Sequence, residues 1–285
     1  MHKKIIATSA MHNRKIEYVL SGDLALSGNI IKKLKATGGI LLNGESVHVD
    51  KRLTEGDCLE LIFPSEQSEN ITAEDIPLEV LYEDEDILLV NKPPFMITHP
   101  LGEHCSGTLA NAVMFYLKEH APFRVITRLD KETSGVVLIA KNALSAQRLN
   151  AAMKDRTIEK EYVAIACGVI HSKEGVIAAP IKKAEGIKRT VSPEGREAVT
   201  KYKVIKEANG LSLVKLTPIT GRTHQIRVHL KHLGAPIYGD WLYGKAIAGE
   251  RIRLHCNRIR FKHPLKAIEI TVEAAVPDDI MRLMK

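Results

Sequence analysis

The pattern of apolar and polar residues over the first 64 positions predicts one helix followed by short strands. Ser27 can cap this helix, and the pair Gly38-Gly39 is typical of a helix end. Between them lies an apolar stripe with helical spacing, made of Ile30, Ile31 and Leu34. Strands are then expected at residues 40–42, 47–49 and 58–63, with turns at Asn43-Gly44 and Gly56-Asp57. This pattern predicts a small helix-plus-hairpin unit.

From residue 80 onward, most apolar runs have the length of strands. The predicted strands lie near residues 78–81, 87–90, 136–140, 162–166, 199–204 and 211–216. One helix is expected over residues 108–117, and another begins where Ser145 can cap it and runs to about Lys154. Hairpin-like strand connections with helices between them predict an α+β fold with a mixed, mostly antiparallel sheet.

Charge divides the chain into three segments. Residues 65–86 carry nine acidic and no basic side chains, which predicts a solvated acidic linker leading into the next domain. Residues 87–285 carry 32 basic and 18 acidic side chains, whereas the whole chain has a net charge of only +7. We therefore expect a small unit at 1–64, the linker at 65–86 and a larger unit at 87–285. The positive charge of the larger unit favours a polyanionic partner.

The cysteines and the start of the chain indicate a cellular compartment. The four cysteines are scattered, and no two have a Cys-x-x-Cys spacing: Cys58, Cys105, Cys167 and Cys256. Buried, reduced thiols are therefore expected rather than disulfides or a zinc site. The first residues are basic, but no apolar run has the length of a signal peptide or a membrane span. These features predict a cytoplasmic protein without membrane association.

Polar residues gather on an irregular stretch directly before a predicted strand. Its sequence is Arg128-Leu129-Asp130-Lys131-Glu132-Thr133-Ser134-Gly135. The last three residues favour a tight, hydrogen-bonded turn, which leaves Asp130 at the mouth of the sheet beside Arg128. Nearby positive charge favours the ionised form of such a carboxylate. From these residues alone, a structural Arg–Asp pair and a functional carboxylate are equally good interpretations.

A second polar cluster follows Gly221, which can supply a turn before a short helix. The helix is expected from the one-turn spacing of Ile226 and Leu230, and its polar residues are dense: Arg222, His224, Gln225, Arg227 and His229. The two histidines could suggest a metal site, but no carboxylate follows at a ligand spacing before Asp240. Recognition of phosphate or carboxylate groups by the arginines is the preferred interpretation.

These clusters, together with a strand-like run that contains Tyr162, resemble the RluA-type RNA pseudouridine synthases in order and approximate spacing. The motifs concerned are Arg128-Leu129-Asp130-Lys131-Glu132-Thr133-Ser134-Gly135, Lys160-Glu161-Tyr162, and Gly221-Arg222-Thr223-His224-Gln225-Ile226-Arg227-Val228-His229. The match is extended by Asn91-Lys92-Pro93-Pro94 with His99-Pro100, by Gly234-Ala235-Pro236-Ile237-Tyr238-Gly239-Asp240, and by Arg253-Leu254-His255 with Phe261-Lys262-His263-Pro264. Many family members carry histidine where this chain has Thr127, a position that we expect to support the loop.

The small N-terminal unit resembles the alpha-L type RNA-binding domain. The resemblance covers about residues 15–63 and rests on the helix, the Gly-Gly pair, Leu41-Leu42-Asn43-Gly44 and Leu53-x-x-Gly56-Asp57. On the helix, Lys32, Lys33 and Lys35 lie largely off the apolar stripe. They form either an ordinary solvated face or, as the resemblance implies, a patch that contacts RNA phosphates.

The resemblance to pseudouridine synthases implies an isomerase that detaches uracil from ribose, rotates it and rejoins it through carbon 5. It implies no cofactor and no metal ion. Asp130 would be the essential catalytic carboxylate, acting either as a nucleophile or as a base toward a glycal-like intermediate. Arg227 would pair with this carboxylate, and Tyr162 would stack on the target base and assist proton abstraction. Arg128 would contact phosphate or fill the space left by the flipped nucleotide.

The implied partner is structured RNA, either ribosomal or transfer RNA, bound by a monomer. Arg222 and His224 are further candidates for RNA binding. A non-catalytic RNA-binding or ribosome-assembly protein on the same fold is the alternative, but it would be expected to lack Asp130 or Tyr162, and both are present. An enzyme that releases the free base usually uses two carboxylates or an acid–water pair. Only Asp130 stands out here, and we expect the nearby Glu132 to face solvent.

Overall fold

The computed structural model describes residues 2–64, 71–100, 105–118 and 122–285. The strands are β1 His2–Ile6, β2 Ile40–Leu42, β3 Glu45–Ser46, β4 Cys58–Ile62, β5 Glu79–Glu83, β6 Ile87–Lys92, β7 Arg124–Val125, β8 Ser134–Ala140, β9 Glu159–Cys167, β10 Glu174–Ala178, β11 Ile181–Lys183, β12 Arg189–Val191, β13 Val199–Ala208, β14 Leu211–Pro218, β15 Leu254–Lys262 and β16 Glu269–Glu273. The helices are α1 Ile16–Tyr18, α2 Gly28–Ala36, α3 Leu109–Tyr116, α4 Ala143–Lys154, α5 Gln225–His232 and α6 Asp278–Met281. Within these described ranges, no helix is both long and apolar enough to cross a membrane.

The N-terminal part of the chain folds around its own apolar core. Its four strands form a sheet in the order β1-β4-β2-β3, and α2 contributes the predicted apolar stripe to the same core. The side chain of Ser27 accepts a hydrogen bond from the backbone N–H of Ile30, which confirms the predicted cap. The lysines of α2 are exposed on its outer face: Lys32, Lys33 and Lys35.

The hairpin after β2 turns at Asn43-Gly44, as predicted. Asn43 and Gly44 both have positive φ, at 52° and 86°, which is the geometry of a two-residue type I′ turn. Strand pairing therefore resumes at once, with Leu42 opposite Glu45. The predicted strand at residues 47–49 is wrong, because the strand that follows the turn is β3, two residues earlier.

The second sheet has ten strands and holds the larger core. Its main path runs β10-β13-β14-β9-β15-β8-β6-β5, with β16 paired to β15 and β7 paired to β8. Among the strand pairs of the described residues, β8 with β15 is the one that runs parallel. The predicted fold class, α+β with a mixed, mostly antiparallel sheet, is confirmed. The strand β8, which follows the Asp130 segment, is buried along its whole length.

The helices agree with their predicted positions, but one cap differs. Thr108 caps α3, and its side chain accepts from the backbone N–H of Asn111. The helix α4 begins at Ala143 and is capped by Asn142, so the predicted capping by Ser145 is wrong. Ser145 is buried in the first turn, where its hydroxyl donates to Asp86. An asparagine three residues upstream therefore performs the capping.

The predicted linker ends inside the larger sheet. Of its residues 65–86, positions 65–70 lie outside the described residues, whereas β5 pairs with β6 as an edge strand. The larger sheet therefore begins at Glu79 rather than at residue 87. The two units also contact each other through α4, where Gln147 accepts from the backbone N–H of Ser27 and Leu144 is buried in the N-terminal core.

Candidate active site

Asp130 lies on the irregular segment between β7 and β8. The segment is fastened on both sides of the aspartate by hydrogen bonds. Thr98 donates its hydroxyl to the carbonyl of Leu129 at 2.9 Å, and the backbone N–H of Thr133 donates to the carbonyl of Asp130 at 3.1 Å. Thr127 is buried and accepts from the backbone N–H of Leu138, so it supports the loop as expected. The carboxylate of Asp130 stays about one third exposed and is accessible to a substrate.

Arg227 approaches this carboxylate from α5. One terminal nitrogen lies 3.6 Å from Oδ2 of Asp130, which agrees with the expected pairing. The stronger contact was not predicted: Nε and Nη2 of Arg227 each donate to a carboxylate oxygen of Asp240 at 2.8 Å. Burial lowers the pKa of Arg227, but the hydrogen bonds and charge of Asp240 outweigh this effect and raise the pKa above its usual value. The guanidinium is therefore a permanent cation beside Asp130.

His224 completes the polar group around Asp130. It has a left-handed backbone, with φ of 57°, and its Nε2 lies 3.8 Å from Oδ2 of Asp130. Its Nδ1 is 2.8 Å from the hydroxyl of Tyr243, which also accepts the backbone N–H of Arg189. The Tyr243 hydroxyl can therefore donate its own proton to Nδ1 of His224. With Nδ1 as acceptor, the imidazole proton is assigned to Nε2, which faces Asp130. Burial lowers the pKa of His224 and so favours this neutral form, although the charge of Asp130 opposes the shift.

Tyr162 lies on β9 and is buried beside the same site. Burial raises its pKa well above the usual value, and the thiol of Cys256 and the negative charge of Asp130 add to the effect. The phenol therefore keeps its proton. The neighbouring strands approach closely here, because a Cβ on Gly135 would lie 2.2 Å from the carbonyl oxygen of Cys256. Gly135, with φ of 117°, is the residue that permits β8 to lie against β15 directly after the Asp130 loop.

Lys92 is a buried group that the sequence analysis did not single out. Its Nζ donates to three backbone carbonyls, those of Pro93 and Met96 at 2.8 Å and that of Lys131 at 3.2 Å. These bonds join the loop after β6 to the Asp130 loop. Burial lowers the pKa of Lys92 to about 7, although the charge of Asp130 opposes the shift. Its position in the Asn91-Lys92-Pro93-Pro94 motif was the only feature of the sequence that could have pointed to Lys92.

The prediction that Glu132 faces solvent is wrong. Its Oε1 accepts from the indole N–H of Trp241 at 2.8 Å, and its Oε2 accepts from the backbone N–H of Ile252 at 3.4 Å. Both partners come from the segment that follows α5, which sequence spacing does not bring near residue 132. Glu132 therefore fastens the Asp130 loop to the far side of the site.

Asp84, Asp86 and His263 form a separate cluster whose ligand-type atoms lie within 4.8 Å of one another. The Nε2 of His263 is 2.9 Å from Asp84, and its Nδ1 accepts the backbone N–H groups of Leu265 and Lys266. Both ring nitrogens therefore have protein partners, and Nε2 carries the proton. This cluster fastens the turn between β5 and β6 and is distinct from the Asp130 site.

Comparison with known proteins agrees with this geometry. A family model described as RNA pseudouridylate synthase matches residues 86–232, which contain Asp130, Tyr162 and Arg227. The chain belongs to this family. It is accordingly an RNA pseudouridine synthase, and the resemblance noted in the sequence is confirmed for the enzyme class.

Relatives of this synthase match most of its length. The uncharacterized RNA pseudouridine synthase YjbO of Bacillus subtilis is 39% identical over 274 residues, which is 93% of this chain and 96% of that protein. Ribosomal large subunit pseudouridine synthase D of Vibrio vulnificus is 34% identical over 95% of this chain and 85% of that protein. The structure of human RNA pseudouridylate synthase domain containing 1 superimposes with a TM-score of 0.61 at 25% identity, covering 73% of this chain and 88% of that one.

The predicted RNA-binding residues of this synthase are divided between two places. Arg128 is exposed two residues before Asp130, and His224 lies in the site itself. Arg222 is partly buried, and its Nε donates to the backbone carbonyl of Glu197 at 2.9 Å. The three α2 lysines belong to the N-terminal unit and are not part of the Asp130 group.

Proposed function

We propose that this synthase isomerises specific uridines in structured RNA and that Asp130 is its essential catalytic group. The observation that carries the proposal is the accessible Asp130 carboxylate, which lies 3.6 Å from the buried cation Arg227. Ribosomal RNA is the first substrate class to test, because similar proteins from Vibrio vulnificus and Xanthomonas campestris are named ribosomal large subunit pseudouridine synthase D. Transfer RNA is the second.

The proposed reaction needs no cofactor, because it exchanges bonds within one nucleotide. The bond between uracil N1 and ribose C1′ breaks, the base rotates, and C5 bonds to C1′. C5 then loses its proton, and N1 gains one, so atoms and electrons balance. An ionised Asp130 stabilises positive charge that develops at C1′, whether it attacks this carbon or acts as the base of a glycal route. Arg227, oriented by Asp240, places a positive charge 3.6 Å from the carboxylate and holds it in position.

Tyr162 and the arginines take the remaining proposed roles. The ring of Tyr162 is buried next to Asp130, and we assign it the role of stacking on the flipped uracil; its raised pKa makes the phenol a poor base for the C5 proton. Arg128 is exposed beside the carboxylate and would bind phosphate or fill the space of the flipped nucleotide. His224 would contact the target nucleotide. Arg222 would bind an RNA phosphate through Nε only if its hydrogen bond to the Glu197 carbonyl is broken.

The N-terminal unit is proposed as a second RNA contact. Lys32, Lys33 and Lys35 are exposed together on α2, so a phosphate backbone can reach them. We propose residues 1–64 as the RNA-binding unit, 65–78 as the connecting segment and the residues from Glu79 onward as the catalytic unit of a monomer. We place the synthase in the cytoplasm, as the scattered cysteines suggest, although Cys256 is buried as expected whereas Cys105 is exposed.

Mapping of pseudouridines in cellular RNA with and without this protein tests the proposal. We expect one or a few sites in ribosomal RNA to be lost without it and restored by the wild-type protein but not by Asp130→Asn. Restoration by Asp130→Asn would overturn the catalytic assignment. Loss only in transfer RNA would move the substrate to that class. RNA binding without any conversion would favour the non-catalytic alternative.

A further inference from the structure

Trp241 is the single tryptophan of the chain, and its bond to Glu132 brings it to the edge of the Asp130 site. Its side chain is half exposed, at 51%. It directly follows Asp240, the buried partner of Arg227. Exposing the apolar surface of a large aromatic ring to water is unfavourable, and a polar residue at this position would avoid that cost.

The indole is held in place rather than free to turn. Its N–H donates to Oε1 of Glu132 at 2.8 Å, and Glu132 lies two residues after Asp130. The other oxygen of Glu132 accepts the backbone N–H of Ile252, so the acceptor is itself anchored. The conformational entropy of the Trp241 side chain is therefore lost mostly during folding, so that a base stacking on it would cost less entropy on binding.

We propose that Trp241 is a stacking platform for a nucleobase that flanks the target uridine. The polar group of the indole is already bonded to Glu132, so the exposed ring offers mainly its π surface. Such a surface stacks on any base and recognises an unstacked one. The exposed Arg128, on the same loop as Glu132, supplies positive charge for the adjoining phosphates. The inference rests on the proposed function, since it requires an RNA substrate with a flipped uridine.

A competing explanation is that Trp241 only fastens the Asp130 loop through Glu132. The two explanations predict different variants to be harmful. Trp241→Phe keeps a ring for stacking but removes the N–H donor, whereas Trp241→Ala removes both. Fastening alone predicts similar defects in the two variants, with a lower kcat. Stacking predicts that Phe retains most of the function and that Ala raises KM.

The test uses a transcript fragment that contains the uridine identified by mapping. We expect Trp241→Ala to raise KM about tenfold while kcat at saturating RNA stays within about twofold of wild type. Trp241→Phe should stay within about threefold in KM. Phe115→Ala is the matched control, because this aromatic residue is similarly exposed, at 47%, on α3. Equal KM for wild type and Trp241→Ala would overturn the inference.

A second measurement identifies the base. Abasic nucleotides replace each of the three positions on either side of the target, one at a time. At the position that stacks on Trp241, the abasic substitution should weaken binding to wild type but have little further effect on Trp241→Ala. Additive effects at every position would overturn the stacking role. If wild type converts no uridine in any RNA, the proposed function fails instead, which is a different result.

The single tryptophan also gives a direct spectroscopic signal. In the Asp130→Asn background, which is expected to bind without turnover, RNA should quench the indole emission through stacking. The abasic fragment that fails to stack should bind, when saturating, without that quenching. Emission that is equally changed by both fragments would contradict stacking on that base.

Discussion

Arg227 and Asp240 form a bidentate ion pair in which both side chains are buried, with exposures of 5% and 0%. The two N–O distances are 2.8 Å, and the remaining terminal nitrogen of Arg227 is left to approach Asp130 at 3.6 Å. Asp240 is itself fixed by the backbone N–H groups of Leu242 and Tyr243. The orientation of the candidate catalytic carboxylate therefore depends on a second carboxylate behind the arginine.

Replacement of Asp240 tests this dependence. Asp240→Asn should lower kcat about 100-fold, because a displaced Arg227 no longer holds Asp130 in the reactive position. It should also lower the free energy of unfolding by about 3 kcal/mol, since Arg227 becomes a buried charge without its partner. Steady-state kinetics and urea unfolding measure the two effects. Glu273→Gln, which changes an exposed ion-pair residue, is the control. Equal kcat in the two variants would exclude the orienting role.

Chemistry and RNA binding should separate between the two units. Asp130→Asn should abolish conversion yet keep the RNA Kd within about tenfold, or roughly 1.4 kcal/mol of binding free energy. Arg227→Ala should reduce turnover far more than Lys33→Ala does, because Lys33 lies on the exposed face of α2. Lys33→Ala should instead weaken binding and reduce its salt dependence. The same fractional loss of turnover in both lysine and arginine variants would contradict this division.

The sequence predicted elements and motifs better than it predicted partners. The helix α5 and the Asp130 segment followed from local spacing and turn residues, because such signals depend on near neighbours. The role of Asp240 as the main partner of Arg227 could not be predicted in this way. The irregular segment between the two residues has no periodic pattern from which its path can be deduced. Glu132 was misplaced for the same reason, because its partners Trp241 and Ile252 lie more than a hundred residues away.

The approach of β8 to β15 gives a prediction about Gly135. Gly135→Ala should lower the free energy of unfolding by at least about 4 kcal/mol, because its Cβ would overlap the backbone carbonyl of Cys256 and its φ is 117°. Gly210→Ala is a matched control with positive φ, 71°, but open space around the added carbon. It should cost only about 1–2 kcal/mol, through backbone strain alone. Urea unfolding compares the two, and equal costs would show that the close approach is not rigid.

Lys92 makes stability depend on pH in an unusual direction. Burial lowers its pKa from 10.5 to about 7 in the folded protein. Unfolding restores the ordinary pKa, so between these two values the unfolded chain holds a proton that the folded protein has released. The free energy of unfolding should therefore rise with pH across this window, and below about pH 7 the penalty is fully present.

Lys92→Met removes the titrating group and isolates this effect. Relative to the variant, the wild-type protein should gain about 3 kcal/mol in the free energy of unfolding between about pH 7 and pH 10. Urea unfolding at the two pH values measures the gain. Lys131→Met, which replaces an exposed lysine on the neighbouring loop, should keep the wild-type dependence on pH. If the free energy of unfolding of Lys92→Met rises with pH as much as that of wild type, other groups cause the pH dependence. The charged form of Lys92 would then not be destabilised by its burial.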